Sequence, residues 1–218
     1  MPEGRSFCHG REDITCQRDT GRDERNVPID DLIIVYGGKK MNIRIRKMQS
    51  SDIDALYWLL SDPEVMRYLE PPYDRAQTET FLHHAGLTTH PLVYAVEESK
   101  IFIGYVIYHK YDEESMEIGW VLFPEYWGHG YASVLTDWLI CKARREQKNV
   151  VIECVPAQEA TKRIAIKKGF RYCGSCDGVT VYRLVPEGHW SGRDTRVKSP
   201  EMLKLSELFE CVETSSFA

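Results

Sequence analysis

The stretch Met116–Ser133, MEIGWVLFPEYWGHGYAS, decides the fold. Its first half, MEIGWVLF, is apolar and β-prone, and Pro124 ends it. Gly128 and Gly130 then flank His129. From Tyr131 the pattern YASVLTDWLICKARR turns helical, with Val134, Leu135, Trp138 and Leu139 on one face. Lys142, Arg144 and Arg145 suit the negative end of that helix. A strand that runs through Gly-x-Gly into a helix presents unpaired N–H groups and a partial positive charge, with no Cβ in the way. Such a loop can cradle a phosphate; taken alone, it also reads as a tight connection. The dinucleotide-binding fingerprint fits poorly, because Ser133 stands where a third glycine belongs and the preceding strand is part of a meander.

That meander is read upstream. LVYAVEE and IFIGYVIYHK are joined by a polar turn at Ser99–Lys100, and with MEIGWVLF they predict antiparallel neighbours rather than βαβ units. Earlier, IRIRKM alternates Ile43 and Ile45 with Arg44 and Arg46, as a half-buried strand does. Ser51 predicts an N-cap, with Asp54 at N3, for a helix carrying Ile53, Leu56, Tyr57 and Leu60. A second helix is expected from Asp74, with Gln77 at its N3, to Gly86. Downstream, NVVIECV predicts a buried strand, and AQEATKRIAIKK a helix closed by Gly169 in a left-handed cap. FRYCGS and TVYRLV predict a last strand pair. The order is one strand, two helices, three strands, then helix, strand, helix and two strands. That is an α/β fold: a mixed, mostly antiparallel sheet flanked by helices, in a single domain with tails.

The tails differ in composition. The 218 residues are 43% hydrophobic and 11% aromatic, enough for a substantial core. A net charge of −5 argues against a nucleic-acid partner. No apolar run nears the roughly 20 residues that span a bilayer, so no membrane partner is expected. MPEGRSFCHGRED has no apolar signal region, so the expected location is cytoplasmic and the seven cysteines are expected to be reduced. In residues 1–40, GREDITCQRDTGRDERN is charged in both signs and is expected to be disordered, while DLIIVYGG adds an edge strand or packs loosely. Gly-Gly-Lys-Lys-Met, ending at Met41, can be back-translated as a ribosome-binding sequence, a spacer and a start codon. Residues 1–40 are therefore expected to be disordered or a non-native extension, and 41–185 the domain. In 186–218, EGHWSGRDTRVKSP reads as linker. SPEMLKLSELFECV reads as an amphipathic helix with Pro200 in its first turn and Leu205, Leu208, Phe209 and Val212 on one face.

The segment Glu117–Phe170 resembles the acetyl-coenzyme A (acetyl-CoA) core of the GNAT superfamily of N-acetyltransferases. MEIGWVLFPEYWGHGYAS is similar to the form of that core in the ribosomal-protein N-terminal acetyltransferase branch. QEATKRIAIKKGF resembles the family's Asn-x-x-Ser helix ending in Lys-x-Gly-Phe, with Gln158 at the Asn position, Thr161 at the Ser position, and Lys167, Gly169 and Phe170 matching. The element order agrees over about residues 42–185. The resemblance implies direct acetyl transfer from acetyl-CoA to a primary amine, of a small molecule or a protein N-terminus, by attack on the thioester. It carries over Gly128, His129, Gly130, Tyr131 and Ala132 as the pyrophosphate loop. Leu122, Gln158 and Thr161 follow as further coenzyme contacts. Glu125 stands where the family's loop opens with Gln or Arg.

The chemistry needs a base, because an alkylamine of pKa about 10 is protonated at neutral pH. Glu117 is the candidate, through a water; a solvated strand carboxylate is the plain alternative. Many members place a tyrosine acid where Ala165 stands here. Thr161 either hydrogen-bonds the sulfur or bonds its own backbone. His129 either adds charge to phosphate or is solvated, and Lys162 or Lys167 is a candidate for the coenzyme's outer phosphate. In VMRYLEPPYD, Tyr68, Glu70 and Tyr73 either cradle an acceptor cation or form a rigid loop of packed tyrosines. A monomer or homodimer is expected. Two rivals stand beside this reading. Cys173 and Cys176 have metal or redox spacing but lie at a turn between strands, with Cys8, His9 and Cys16 in the tail, so no metal is expected. Ala165 and Glu125 leave room for a catalytically inactive coenzyme-binding module.

Overall fold

The computed structural model describes residues 31–36, 39–176 and 178–184. Strand β1 (Asp31–Tyr36) pairs antiparallel with β2 (Lys39–Lys47), so the sheet extends ahead of Met41. In β2 the predicted alternation is wider than read: Met41, Ile43 and Ile45 are all fully buried. The helix expected from SPEMLKLSELFECV and the charged segment GREDITCQRDTGRDERN both lie outside the described residues.

Three helices follow. The first, α1 (Ile53–Leu60), is not capped by Ser51 and Asp54 as its sequence suggests. A three-residue 3₁₀ turn, Ser50–Asp52, precedes it, and the Gln49 N–H donates to the Asp52 carboxylate at 2.7 Å. The reason is electrostatic. Arg46 forks onto both Asp52 oxygens at 2.7 Å and reaches Glu97 at 2.6 Å, fixing Asp52 at the turn. Asp54 instead pairs with Arg75 on the surface. Next, α2 (Pro63–Met66) is one turn, with the Asp62 side chain accepting from Glu64 N–H and Pro63 in the first turn. Then α3 (Arg75–Phe81) starts at the predicted Asp74–Gln77 capping box and runs into a π-turn, Leu82–Gly86.

The meander is β3 (Val93–Glu98), β4 (Ile101–Lys110) and β5 (Ser115–Leu122). Ser99 and Lys100 both take positive φ, the geometry of a two-residue hairpin turn. Helix α4 (Tyr131–Arg145) leads to β6 (Asn149–Cys154), then α5 (Glu159–Lys167), β7 (Arg171–Cys176) and β8 (Val179–Leu184). The eight strands order as β1-β2-β3-β4-β5-β6-β8-β7. Only β5 and β6 run parallel among the described pairs.

Two cores result, one on each face of the sheet. Leu135, Trp138 and Leu139 of α4 and Ala165 of α5 pack with Ile43, Ile118 and Ile152. On the other face Leu56, Leu59, Leu60 and Phe81 pack with Val93, Ala95, Tyr105 and Val121. That second layer does not reach the far strands, where Tyr111, Val151 and Val181 form a small separate cluster.

Candidate active site

The parallel ladder between β5 and β6 is short. It pairs Ser115 with Asn149, Met116 with Val150 and Glu117 with Val151, and stops. Beyond it β5 continues to Leu122 along β4, and β6 continues to Cys154 along β8. Neighbouring strands that part must leave a gap between them, with ladder groups free for something else. Glu117 is the last β5 residue in that ladder. The gap joins the face covered by α4 and α5 to the opposite face, where Glu117 lies.

The predicted glycine loop follows the end of β5 that has no β6 partner. A 3₁₀ turn, Pro124–Tyr126, carries the chain off β5, and Trp127 Nε1–H donates to the Leu122 carbonyl at 2.8 Å, tying the loop to the strand end. Leu122 itself is buried in the core. Gly128 and Gly130 have φ of 73° and 90°, and a Cβ on Gly128 would meet nothing within 4 Å: the glycine opens space there instead of relieving a clash. Gly130 is the N-cap of α4. The Tyr131 ring is buried against Tyr126, with ring centroids 5.4 Å apart. Ala132 is half-buried and His129 exposed. Glu125 is exposed.

One more group marks this helix end. Ser133 Oγ is buried and has no hydrogen-bond partner among the described residues. Side chains in a helix lean toward its N-terminus, so this hydroxyl leans toward the end that Gly128 and Gly130 keep open. A long helix's positive end, an uncovered glycine and an orphaned hydroxyl fit a phosphate group.

Glu117 sits across from His109, with Oε2 to Nε2 at 3.5 Å, and its side chain keeps 23% of its surface. Burial pushes its pKa up to about 8, and the charge of Glu153 adds to the shift. Burial also pushes the His109 imidazole below the ordinary histidine range, so His109 is a weak cation partner. Glu153 was not singled out in NVVIECV; the signal was a carboxylate inside an otherwise apolar strand. Two positions beyond Val151, it shares the Glu117 face. Its Oε1 accepts from the Tyr111 hydroxyl at 2.7 Å. Burial raises its pKa, while Tyr111 and the charge of Arg183 oppose the rise.

The α5 residues lie differently. Gln158 Oε1 accepts from the Val155 N–H at 3.0 Å, so this amide closes the turn from β6 into α5. Thr161 is half-buried, Lys162 pairs with Glu159 at 2.6 Å, and Lys167 is exposed. Ala165 is fully buried, so that position faces the core and not the gap. On the acceptor side Tyr73 is buried and its hydroxyl donates to Glu70 at 2.8 Å, whereas Tyr68 is exposed beneath the Arg67 guanidinium. Tyr105 OH is buried without a hydrogen-bond partner among the described residues. The Cys173 thiol donates to the Arg171 carbonyl, two residues back, at 3.4 Å. No group of three or more metal-ligating side chains occurs among the described residues.

Residues 42–171 match the family model of the acetyltransferase (GNAT) domain. The chain is 27% identical over 132 residues to the uncharacterized N-acetyltransferase YnaD of Bacillus subtilis, covering 58% of this chain and 78% of that one. It is similar to a GNAT-family acetyltransferase from Bacillus anthracis, with TM-score 0.60, 25% identity, and coverage of 66% of this chain and 94% of that one. The fold is also that of YncA from Salmonella typhimurium, solved with acetyl-CoA, at TM-score 0.52 and 20% identity over 69% of this chain and 97% of that one. No helix among the described residues is long and apolar enough to cross a membrane. The chain therefore belongs to the GNAT family of N-acetyltransferases, with acetyl-CoA as its co-substrate.

Proposed function

We propose that this enzyme acetylates a primary amine, of a small molecule or a protein N-terminus, by direct attack on the thioester, with Glu117 as general base. Acetyl-CoA supplies the acetyl group: the acceptor nitrogen bonds the carbonyl carbon, the C–S bond breaks, and the coenzyme leaves as thiolate. A thiol of pKa about 8.5 leaves with little help, so the buried Ala165 is no obstacle. Gly128, His129, Gly130, Tyr131 and Ala132 hold the pyrophosphate by N–H groups, Ser133 adds its hydroxyl, and Thr161 is the candidate partner of the sulfur. Leu122 and Gln158 shape the walls on either side of the gap. Glu117 takes one ammonium proton, directly or through a water, and the second proton, shed as the amide forms, goes to the departing thiolate.

The observation that carries this reading is the place of Glu117. It is a half-buried carboxyl with pKa near 8, at the last paired position before β5 and β6 part. A base with that affinity is half-ionised only near pH 8, and its raised pKa brings it closer to that of the amine whose proton it takes. The test is thiol release from acetyl-CoA across an amine panel, with wild type and Glu117→Gln. Turnover should fall by about 10²–10⁴-fold while coenzyme affinity, measured by calorimetry, stays put. An unchanged rate removes Glu117 from the role. Coenzyme binding without thiol release for any amine favours the inactive-module reading instead.

A further inference from the structure

The histidine beside the base has a part that the acetyl-transfer step leaves unassigned. His109 lies directly opposite Glu117 in the antiparallel β4–β5 pair, so the two side chains share one face of the sheet. Its Nδ1 stands 3.1 Å from the Lys110 carbonyl oxygen, and its Nε2 stands 3.5 Å from Glu117 Oε2. A carbonyl oxygen only accepts, so Nδ1 carries the ring proton and donates it to Lys110. Burial lowers the affinity of the ring for a second proton, which keeps the imidazole neutral at neutral pH. One proton on a neutral ring leaves the other nitrogen bare. The nitrogen that faces Glu117 is therefore a lone pair and not a donor.

The two states of Glu117 meet that lone pair differently. An ionised carboxylate only accepts, so it gains no hydrogen bond from a bare nitrogen. A protonated carboxyl has an O–H to give. The other polar groups on this face have partners of their own. Tyr111 OH donates to Glu153 Oε1 at 2.7 Å. Arg183 on β8, level with Val151, reaches Asp112 Oδ2 at 3.1 Å and Ser115 Oγ at 3.2 Å, with its guanidinium over the Tyr111 ring. Arg171 on β7 is one strand further, opposite Arg183. Glu153 on β6 brings only a second carboxyl. On the other side β3 begins at Val93, opposite Ile107, and stops short of His109.

We propose that His109 is a positioning residue for the base: its bare Nε2 accepts the hydrogen bond of the Glu117 carboxyl once that carboxyl has taken the amine's proton, and withholds a hydrogen bond from the carboxylate that comes before. This rests on the reading of Glu117 as the general base. The proton passes from the acceptor nitrogen to Glu117, and His109 neither gains nor loses one. A separation of 3.5 Å is long for a hydrogen bond. Contacts of this kind tighten when the reacting proton arrives. The Lys110 carbonyl makes the device one-sided. For His109 to donate to the carboxylate, its proton would have to move to Nε2, and the bond to Lys110 would be lost. His109 and the burial of Glu117 thus act in one direction, toward a more basic carboxylate.

Nitrogen-15 NMR on the full chain reads the tautomer directly. In wild type, His109 should keep its proton on Nδ1 while its Nε2 resonance steps as Glu117 titrates near pH 8. The step should vanish in Glu117→Gln, whose amide can donate at every pH. In His109→Gln, an amide that is free to rotate offers its N–H groups to the carboxylate. The midpoint of kcat/KM against pH should then fall by about one pH unit, as a hydrogen bond to a charged group implies. A merely structural role would lower the rate at every pH and leave the midpoint in place. The wild-type spectra decide the matter even if His109→Gln misfolds. A proton on Nε2, an Nε2 resonance that ignores the Glu117 titration, or an unmoved midpoint in folded His109→Gln would overturn the proposal. Where Glu117→Gln still loses turnover, such a result leaves the base in place and removes His109 alone. Full turnover in Glu117→Gln would overturn the base reading itself.

Discussion

Glu117 and Glu153 lie on the same face of neighbouring strands, and two nearby carboxyls that are poorly solvated cannot both ionise easily. The pKa of Glu117 is raised to about 8 by burial first and by Glu153 second. A general base acts only when deprotonated, so kcat/KM should rise with pH through a midpoint near 8. Glu153→Gln removes the like charge, and the midpoint should move to lower pH by the part that Glu153 supplies. A pH–rate series on the two proteins checks this; a midpoint that stays or rises would show that Glu153 exerts no repulsion. The same logic fixes a sign for stability. A carboxyl whose folded pKa lies above its unfolded one is a burden that grows as pH rises from about 4.5 to about 8. Glu117→Gln should therefore gain thermal stability over wild type across that window and show no gain below it.

Among the elements, glycines with positive φ do two different jobs. Gly104, at φ +148° in β4, lies where a Cβ would come within 2.1 Å of the Val121 carbonyl oxygen. Alanine there must push β4 from β5, so Gly104→Ala should cost about 3 kcal/mol or more in urea unfolding. Gly128 has open space around its Cβ position, so Gly128→Ala meets only the left-handed backbone penalty of about 1–2 kcal/mol. The larger effect at Gly128 should appear in coenzyme affinity. Equal stability losses for both variants would contradict this division. These elements also show what the sequence made legible. Strands β3–β6, helix α4 and the Asp74–Gln77 cap follow from periodicity, cap chemistry and turn residues, all of them local. The Ser51 cap misled because its competitor is non-local: Arg46 reaches Asp52 from another element and shares its charge with Glu97, 51 residues away. Glu153 escaped notice for the same reason, since its meaning depends on which strand stands beside β6. Gln158 matches a family position, and its amide oxygen also accepts from the Val155 N–H, a fact of the turn and not of the motif.

At the scale of the whole molecule, the sheet is one ladder with register shifts in β3–β4 and β7–β8 and one short pairing among the described strands. Seven pairings run between neighbouring strands, and the β5–β6 pairing is the one that stops after three residue pairs. Continuous sheet on both sides makes that gap a fixed feature, and α4 begins with its positive helix end just after the end of β5 that has no β6 partner. A ligand that fills the gap replaces the hydrogen bonds the two strands do not give each other. Coenzyme A should therefore stabilise the fold by about 2.7 kcal/mol at a hundredfold excess over its Kd, and the effect should be local in hydrogen exchange. Amides of Gly128–Ser133 and of β5 beyond Glu117 should slow most. Those of β1 and β2, at the far edge of the sheet, should change only as much as global stability changes. Protection spread evenly over all strands would mean that the coenzyme acts on overall unfolding alone. Protection centred on β7 and β8 would move the binding site away from the gap altogether.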